Sequence, residues 1–272
     1  MADSLDEAIE AKFGHKKPAK FETNSKNHIK HIIGVVSGKG GVGKSFVTSM
    51  LAVSLAKRGY KVGILDSDIT GPSIPKAFGT PADVKGDKEL MYPPVSKKGI
   101  KIMSINLMLE NETEPVLWRG PVLGNVIRQF YCDTLWSDLD FLLIDMPPGT
   151  GDVALTVFQS IPVDGVVLVS TPQDLVKMIV GKAVTMCDKM DVEILGLVEN
   201  MSYMTCSCCN NKIYPFGKSK LMDVADAYQI DPLGALPINP EFADLVDKGQ
   251  VEDIECDFMD EITDKLINNV EF

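Results

Sequence analysis

The chain has 272 residues, 27 Lys and Arg against 38 Asp and Glu, a formal net charge of −11, and 45% hydrophobic with 24% charged residues. That length and hydrophobic content suffice for a full buried core and exclude a disordered chain. The acidity argues against a general nucleic-acid coat. No apolar run approaches the roughly 20 residues that a membrane span needs, and the opening stretch MADSLDEAIEAKFGHKK carries charges where a secretion signal is apolar. A cytoplasmic protein with reduced cysteines is expected, without a membrane partner.

Residues 1–30 read as a polar lead-in, with one short helix at 5–13 and the three histidines, His15, His28 and His31, at or near its end. A scattered His group without Cys fits solvated surface better than a metal site. From 31 to 272 short β-branched runs alternate with longer helical stretches. Strands are expected at 31–37, 61–66, 101–106, 141–145, 165–170, 193–199 and 232–235. Helices are expected at 44–58, 122–135, 152–160, 175–189, 218–228, 240–247 and 258–268, with Gly59 and Gly249 placed as C-caps. Several strands are apolar throughout (IIGVV, FLLID, GVVLVS), as strands covered on both faces should be. The fold class is therefore α/β, one domain with a mostly parallel sheet and helices on both faces. Two stretches break the rhythm. The Pro-, Gly- and Lys-rich segment 79–99 reads as an excursion over the surface, and 201–216 is a loop holding three cysteines.

The first strand runs into Gly38-Lys39-Gly40-Gly41-Val42-Gly43-Lys44-Ser45, which matches the phosphate-loop pattern G-x-x-x-x-G-K-[ST] in the strand–loop–helix setting it requires. The glycines let successive N–H groups face one anion at a helix N-terminus. Lys44 is expected to neutralise the β- and γ-phosphates of ATP, and the Ser45 hydroxyl to join the Mg²⁺ shell, with Phe46 completing the nucleotide-binding run. Lys39, a second lysine at the start of the loop, resembles the deviant P-loop of the MinD, ParA and nitrogenase iron protein class. That resemblance implies an ATP-dependent homodimer in which Lys39 reaches the partner's nucleotide. Two strand-end carboxylates complete the set. Asp145 ends the apolar run 141–145, where a Mg²⁺-holding Asp belongs, and the stretch 146–152 (MPPGTGD) reads as a switch loop. By likeness to the class, Asp68 positions or activates the attacking water and Asp66 supports the Mg²⁺ shell.

Cys206-Ser207-Cys208-Cys209 brings a C-x-x-C pair, Cys206 and Cys209, onto the loop after a strand. Thiolates at that spacing can chelate zinc or an iron–sulfur cluster, form a redox disulfide, or stand unengaged. Two thiolates do not close a four-ligand site, whereas two subunits meeting at this loop would. Cys132, Cys187 and Cys256 fall in helical or peripheral segments and are expected to pack.

Gly71-Pro72-Ser73-Ile74-Pro75, Trp118-Arg119-Gly120-Pro121, DMPPGTGD at 145–152, Ser170-Thr171-Pro172-Gln173 and Glu199-Asn200-Met201-Ser202 closely resemble the Mrp/ApbC family of iron–sulfur cluster carrier ATPases, from about 31 to 250. The resemblance implies a homodimer holding a bridging [4Fe-4S] cluster on Cys206 and Cys209. It also implies ATP-driven delivery to apo iron–sulfur proteins, exchange with cluster scaffold proteins, and adenine contacts from Asn200 and around Pro237. Loss of the cluster would leave a zinc ion or free thiols. The family often reads C-P-x-C, and here Ser207 replaces Pro while Cys208 adds a third thiol. Asn239 stands where related ATPases commonly have Asp, and Arg119 is a candidate interface or switch contact. The alternative is a MinD- or ParA-like positioning ATPase with a structural zinc or redox Cys pair. Against it, 251–272 holds eight acidic residues and one Lys, the wrong sign for a helix lying on anionic membrane.

Overall fold

Strands and helices alternate as the period changes predict, with four short elements at 74–78, 85–86, 91–92 and 212–213 that were not expected. In chain order they are β1 (His28–Ser37), α1 (Lys44–Lys57), β2 (Val62–Asp66), α2 (Ile74–Phe78), β3 (Lys85–Gly86), β4 (Met91–Tyr92), β5 (Lys101–Ser104), α3 (Gly120–Cys132), β6 (Asp138–Asp145), α4 (Asp152–Ser160), β7 (Gly165–Ser170), α5 (Val176–Met190), β8 (Glu193–Thr205), β9 (Lys212–Ile213), α6 (Leu221–Tyr228), β10 (Pro232–Pro237), α7 (Pro240–Asp247) and α8 (Asp260–Glu271). This computed structural model describes residues 20–68, 73–81, 84–87, 89–104, 107, 120–149, 151–173 and 176–271. The expected helix at 5–13, His15, Trp118 and Arg119 lie outside the described residues.

The main sheet runs β10-β8-β7-β1-β6-β2-β5, all parallel, with β9 antiparallel on the end of β8. Alternate residues of a strand face opposite sides, and both sides are covered. From β1, Ile33 and Val35 enter one core with α1 and α8, while Ile32 and Val36 enter the other with α3, α4 and α5. This double burial is why the strands read as unbroken apolar runs. Helix α1 is apolar nearly all round because it lies between the sheet and α8; Val47 through Leu55 are all buried. Its buried hydroxyls are bonded. Ser49 Oγ donates to Ser45 O at 2.8 Å, and Thr263 Oγ1 donates to Ser54 Oγ at 2.9 Å.

The strand order places the site. β1 lies between β6 and β7, so the chain reverses its direction of travel across the sheet there, the position where α/β sheets bind ligands. β2 pairs with β6 in the register that sets Asp66 beside Asp145, and β1 pairs with β6 so that Val35 lies beside Asp145.

Three expectations change and a fourth is met. β1 begins three residues earlier than expected, at His28, which pairs with Asp138; Lys20 is already tied to the body through Phe158 O at 2.6 Å. The segment 79–99 is more than a surface excursion. It follows the short helix α2, which ends in left-handed Gly79, and it carries the β3–β4 ribbon. It is also pinned by buried Glu252, which accepts from Ser96 Oγ at 2.7 Å and from the N–H groups of Lys97 and Lys98. β8 runs six residues past its expected end because its last turn-free residues find partners on β10 and β9. Gly59 and Gly249 adopt positive φ just past α1 and α7, where C-caps were expected.

Candidate functional site

The loop after β1 closes on the N-terminus of α1 with Gly41 at φ 79° and Gly43 at φ 77°, conformations that L side chains rarely adopt. Gly38 is required for a different reason: a Cβ there would lie 2.4 Å from Ile179 O on α5. The loop borders a cavity of about 310 Å³ lined by Gly40, Gly41, Gly43, Lys44, Ser45 and Asp68, among others. Lys44 is buried, with Nζ 2.7 Å from Asp145 Oδ1 and 3.7 Å from Asp68 Oδ2. The Asp145 contact uses one of the three ammonium donors, and Lys44 borders the cavity where the others can meet an anion. Ser45 Oγ donates to Asp145 Oδ2 at 2.6 Å and Thr48 Oγ1 to Asp145 Oδ1 at 2.7 Å.

Asp66 stands behind this front row. It accepts from Ser104 Oγ at 3.0 Å and from Asp68 N at 3.1 Å. Burial, and then the neighbouring Asp145 carboxylate, push its carboxyl well above the usual range, against the pull of Lys44. Asp68 reaches the cavity lining and Asp66 does not. The switch stretch rests on β1, with Met146 N donating to Val35 O at 3.1 Å and Gly149 N to Ser37 O at 2.9 Å. Pro148 faces the phosphate cavity. Lys39 is not in that cavity's wall; its ammonium is bonded to Gln173 Oε1 of the same chain.

A second cavity, about 400 Å³, shares Gly43, Phe46 and Val246 with the first and continues it away from the loop. Its other lining includes Asn200, Met201, Phe216, Pro237 and Phe242, so the two residues expected at the adenine both border it. Asn200 also braces the loop, with Nδ2 donating to Val42 O at 2.9 Å. A bulge in β8 aims it. Between the pairs Glu199–Ala235 and Tyr203–Pro237, β8 has three residues against one on β10, and Met201 takes φ 56°. Asn239 caps α7, accepting from Glu241 N. The Gly43→Ala variant is expected to lose ADP binding, because its Cβ would lie 2.2 Å from Asn200 Nδ2 at a φ that strains any L residue. The strain and the lost Asn200 hydrogen bond together should lower stability by about 2–3 kcal/mol. Calorimetric titration with ADP checks this, and an unchanged affinity would refute the steric account.

Past the bulge, β8 and β9 carry the cysteines on a hairpin. Cys206 N bonds to Asn211 O and Asn210 N to Cys206 O, each at 2.9 Å, closing the turn. The Cys206 sulfur accepts the N–H groups of Cys208 and Cys209, then the Cys209 thiol, and its pKa is lowered by these bonds. Cys208 and Cys209 are exposed. Among the described residues, no group of three His, Cys, Asp or Glu side chains is disposed to hold a metal ion. Cys187 and Cys256 are buried packing residues as expected, with burial pushing the Cys187 thiol up to about 12, and Cys132 is half-buried.

Sequence reasoning missed Thr48, Ser104, Gln173 as the partner of Lys39, Phe216 and Phe242. Thr48 alone had a local signal: a hydroxyl one turn after Lys44 on the helix that the phosphate loop opens. The others are brought in by distant segments.

The model of the ParA family described as the NUBPL iron-transfer P-loop NTPase matches residues 28–271. An iron-sulfur cluster carrier protein of Clostridium perfringens is 49% identical over 244 residues, 87% of this chain and 85% of that one. A solved nucleotide-binding protein of Archaeoglobus fulgidus, in complex with ADP and with Co found by PIXE, is 43% identical with a TM-score of 0.76, covering 85% of this chain and 91% of that one. The MinC:MinD complex of Aquifex aeolicus, at 18% identity and TM-score 0.62 over 88% and 94%, shares the fold.

Proposed function

Because this chain belongs to the NUBPL iron-transfer P-loop NTPase family, we propose that it is an ATP-dependent iron–sulfur cluster carrier working as a homodimer. A [4Fe-4S] cluster, its cargo, bridges Cys206 and Cys209 of the two copies, and apo iron–sulfur proteins receive it. The observation that carries this reading is a pair of adjoining cavities, sharing Gly43, Phe46 and Val246, that extend from the phosphate loop to the base of the cysteine hairpin.

The residues divide the work. The loop N–H groups and Lys44 bind and charge-balance the phosphates. The oxygen donors Ser45 and Asp145, with Asp66 behind them, suit a hard cation, and Mg²⁺ held there would neutralise the phosphate charge. Asp68, lining the cavity beside Lys44, orients the attacking water. Lys39 points away from its own cavity, which supports a role on the partner's nucleotide. Hydrolysis is slow in the isolated protein. Two thiolates per copy leave the cluster open to exchange, as a carrier needs. The carrier works in the cytoplasm, where thiols stay reduced.

The positioning-ATPase reading is weaker. α8 buries Ile262 and Leu266 in the core and turns acidic residues outward, which leaves no apolar face for a membrane. The test is cluster transfer. Protein reconstituted anaerobically with iron and sulfide is expected to activate an apo-ferredoxin, faster with ATP than without. Stoichiometric zinc that excludes iron and sulfide would overturn the reading.

A further inference from the structure

The hairpin that carries the cysteines is rooted in the second cavity on both of its arms. The outgoing arm leaves it at Asn200 and Met201, and the return arm re-enters it at Phe216. Between them the arms make two residue pairs, Met204 with Ile213 and Thr205 with Lys212, and the Lys212 ammonium lies 3.9 Å from the centre of the Tyr203 ring. Glu199 clamps the base, accepting from Ser202 Oγ at 2.6 Å and from Lys220 N at 2.8 Å. Ile238 N donates to Tyr203 O at 2.7 Å, which fixes the outgoing arm to the cavity wall. The return arm has no such tie at Phe216, whose large ring is 44% exposed.

We propose that Phe216 is a positioning residue that couples nucleotide occupancy to the setting of Cys206 and Cys209. The inference rests on the nucleotide-and-cluster reading above and names its regulation. A purine base in the second cavity has Phe46 and Phe242 on the helix side and Phe216 on the hairpin side. Stacking on Phe216 covers the exposed ring and draws the return arm toward the phosphate loop. The outgoing arm is already held, so the two arms shift relative to each other and the turn at 206–210 changes its presentation. Coupling of this kind is reciprocal: a cluster on the cysteines alters nucleotide affinity by the same factor.

The test uses cluster-free full-length protein and measures the alkylation rates of Cys206 and Cys209 by iodoacetamide, with and without saturating ADP. ADP is expected to change the wild-type rates about fivefold or more. Phe216→Ala is expected to bind ADP about tenfold more weakly and, once saturated, to show no change in thiol rates. Phe216→Tyr, which keeps the ring, should restore both effects, and it separates lost stacking from a misfolded variant. ADP binding that leaves wild-type thiol rates unchanged overturns the proposal, as does a full rate change in saturated Phe216→Ala. Iron and sulfide uptake, measured separately, reports on the carrier reading itself. A chain that binds no cluster yet shows the ADP effect would sink that reading and leave the coupling standing.

Discussion

Lys44→Ala is expected to slow ATP hydrolysis by about 10²–10³-fold, the usual consequence of removing one preorganised charge contact to a reacting phosphate. The ammonium is buried between Asp145 and Asp68 and borders the phosphate cavity, so the donors it does not spend on Asp145 are available to the phosphates. Its loss also leaves Asp145 without its cation beside Asp66, whose carboxyl is already raised by burial and by that neighbour. Some stability is therefore lost together with activity. Iron and sulfide uptake should persist, because the cysteine turn is held by its own backbone bonds. Single-turnover hydrolysis, iron content and circular dichroism on the same preparation check the prediction. If a folded variant bound no cluster, the two sites would not be separable.

Cys206→Ala and Cys209→Ala are each expected to reduce iron and sulfide from about four of each per dimer to background. Cys208→Ala should retain them. The turn offers the Cys206 sulfur two backbone N–H groups, and the one from Cys208 survives replacement of its side chain. Anaerobic metal and sulfide analysis decides between the three thiols. Loss of the cluster in Cys208→Ala with retention in Cys209→Ala would reassign the ligand pair. ATP hydrolysis in the Cys206 and Cys209 variants should stay near wild type, since neither side chain borders the phosphate cavity.

The element pattern was legible where the physics is local. Helix α1 starts at Lys44 and α7 spans Pro240–Asp247 as read, because caps and periodicity sit within a few residues of each end. The extension of β8 was not legible. Beyond the bulge at Met201, residues 203–205 stay extended because β10 and β9 pair with them, and nothing within that stretch announces those partners. The same holds for segment 79–99, whose buried anchor is Glu252, more than 150 residues away.

By itself the sequence determined the α/β class, the phosphate loop with Lys39, Lys44 and Ser45, and the C-x-x-C pair. The phosphate-loop residues lie within one loop and the first turn of one helix, and the cysteine pair within one turn of a hairpin, so spacing along the chain is already spacing in the molecule. Tertiary structure alone decided that Asp66 lies beside Asp145, through the β2–β6 register. It also decided that Asn200 is braced on Val42 and that Phe216 lines a cavity that Gly43 of the phosphate loop also borders. Those meetings follow from the order of strands in the sheet. That order is set by how whole faces bury against each other, which no short stretch of residues encodes.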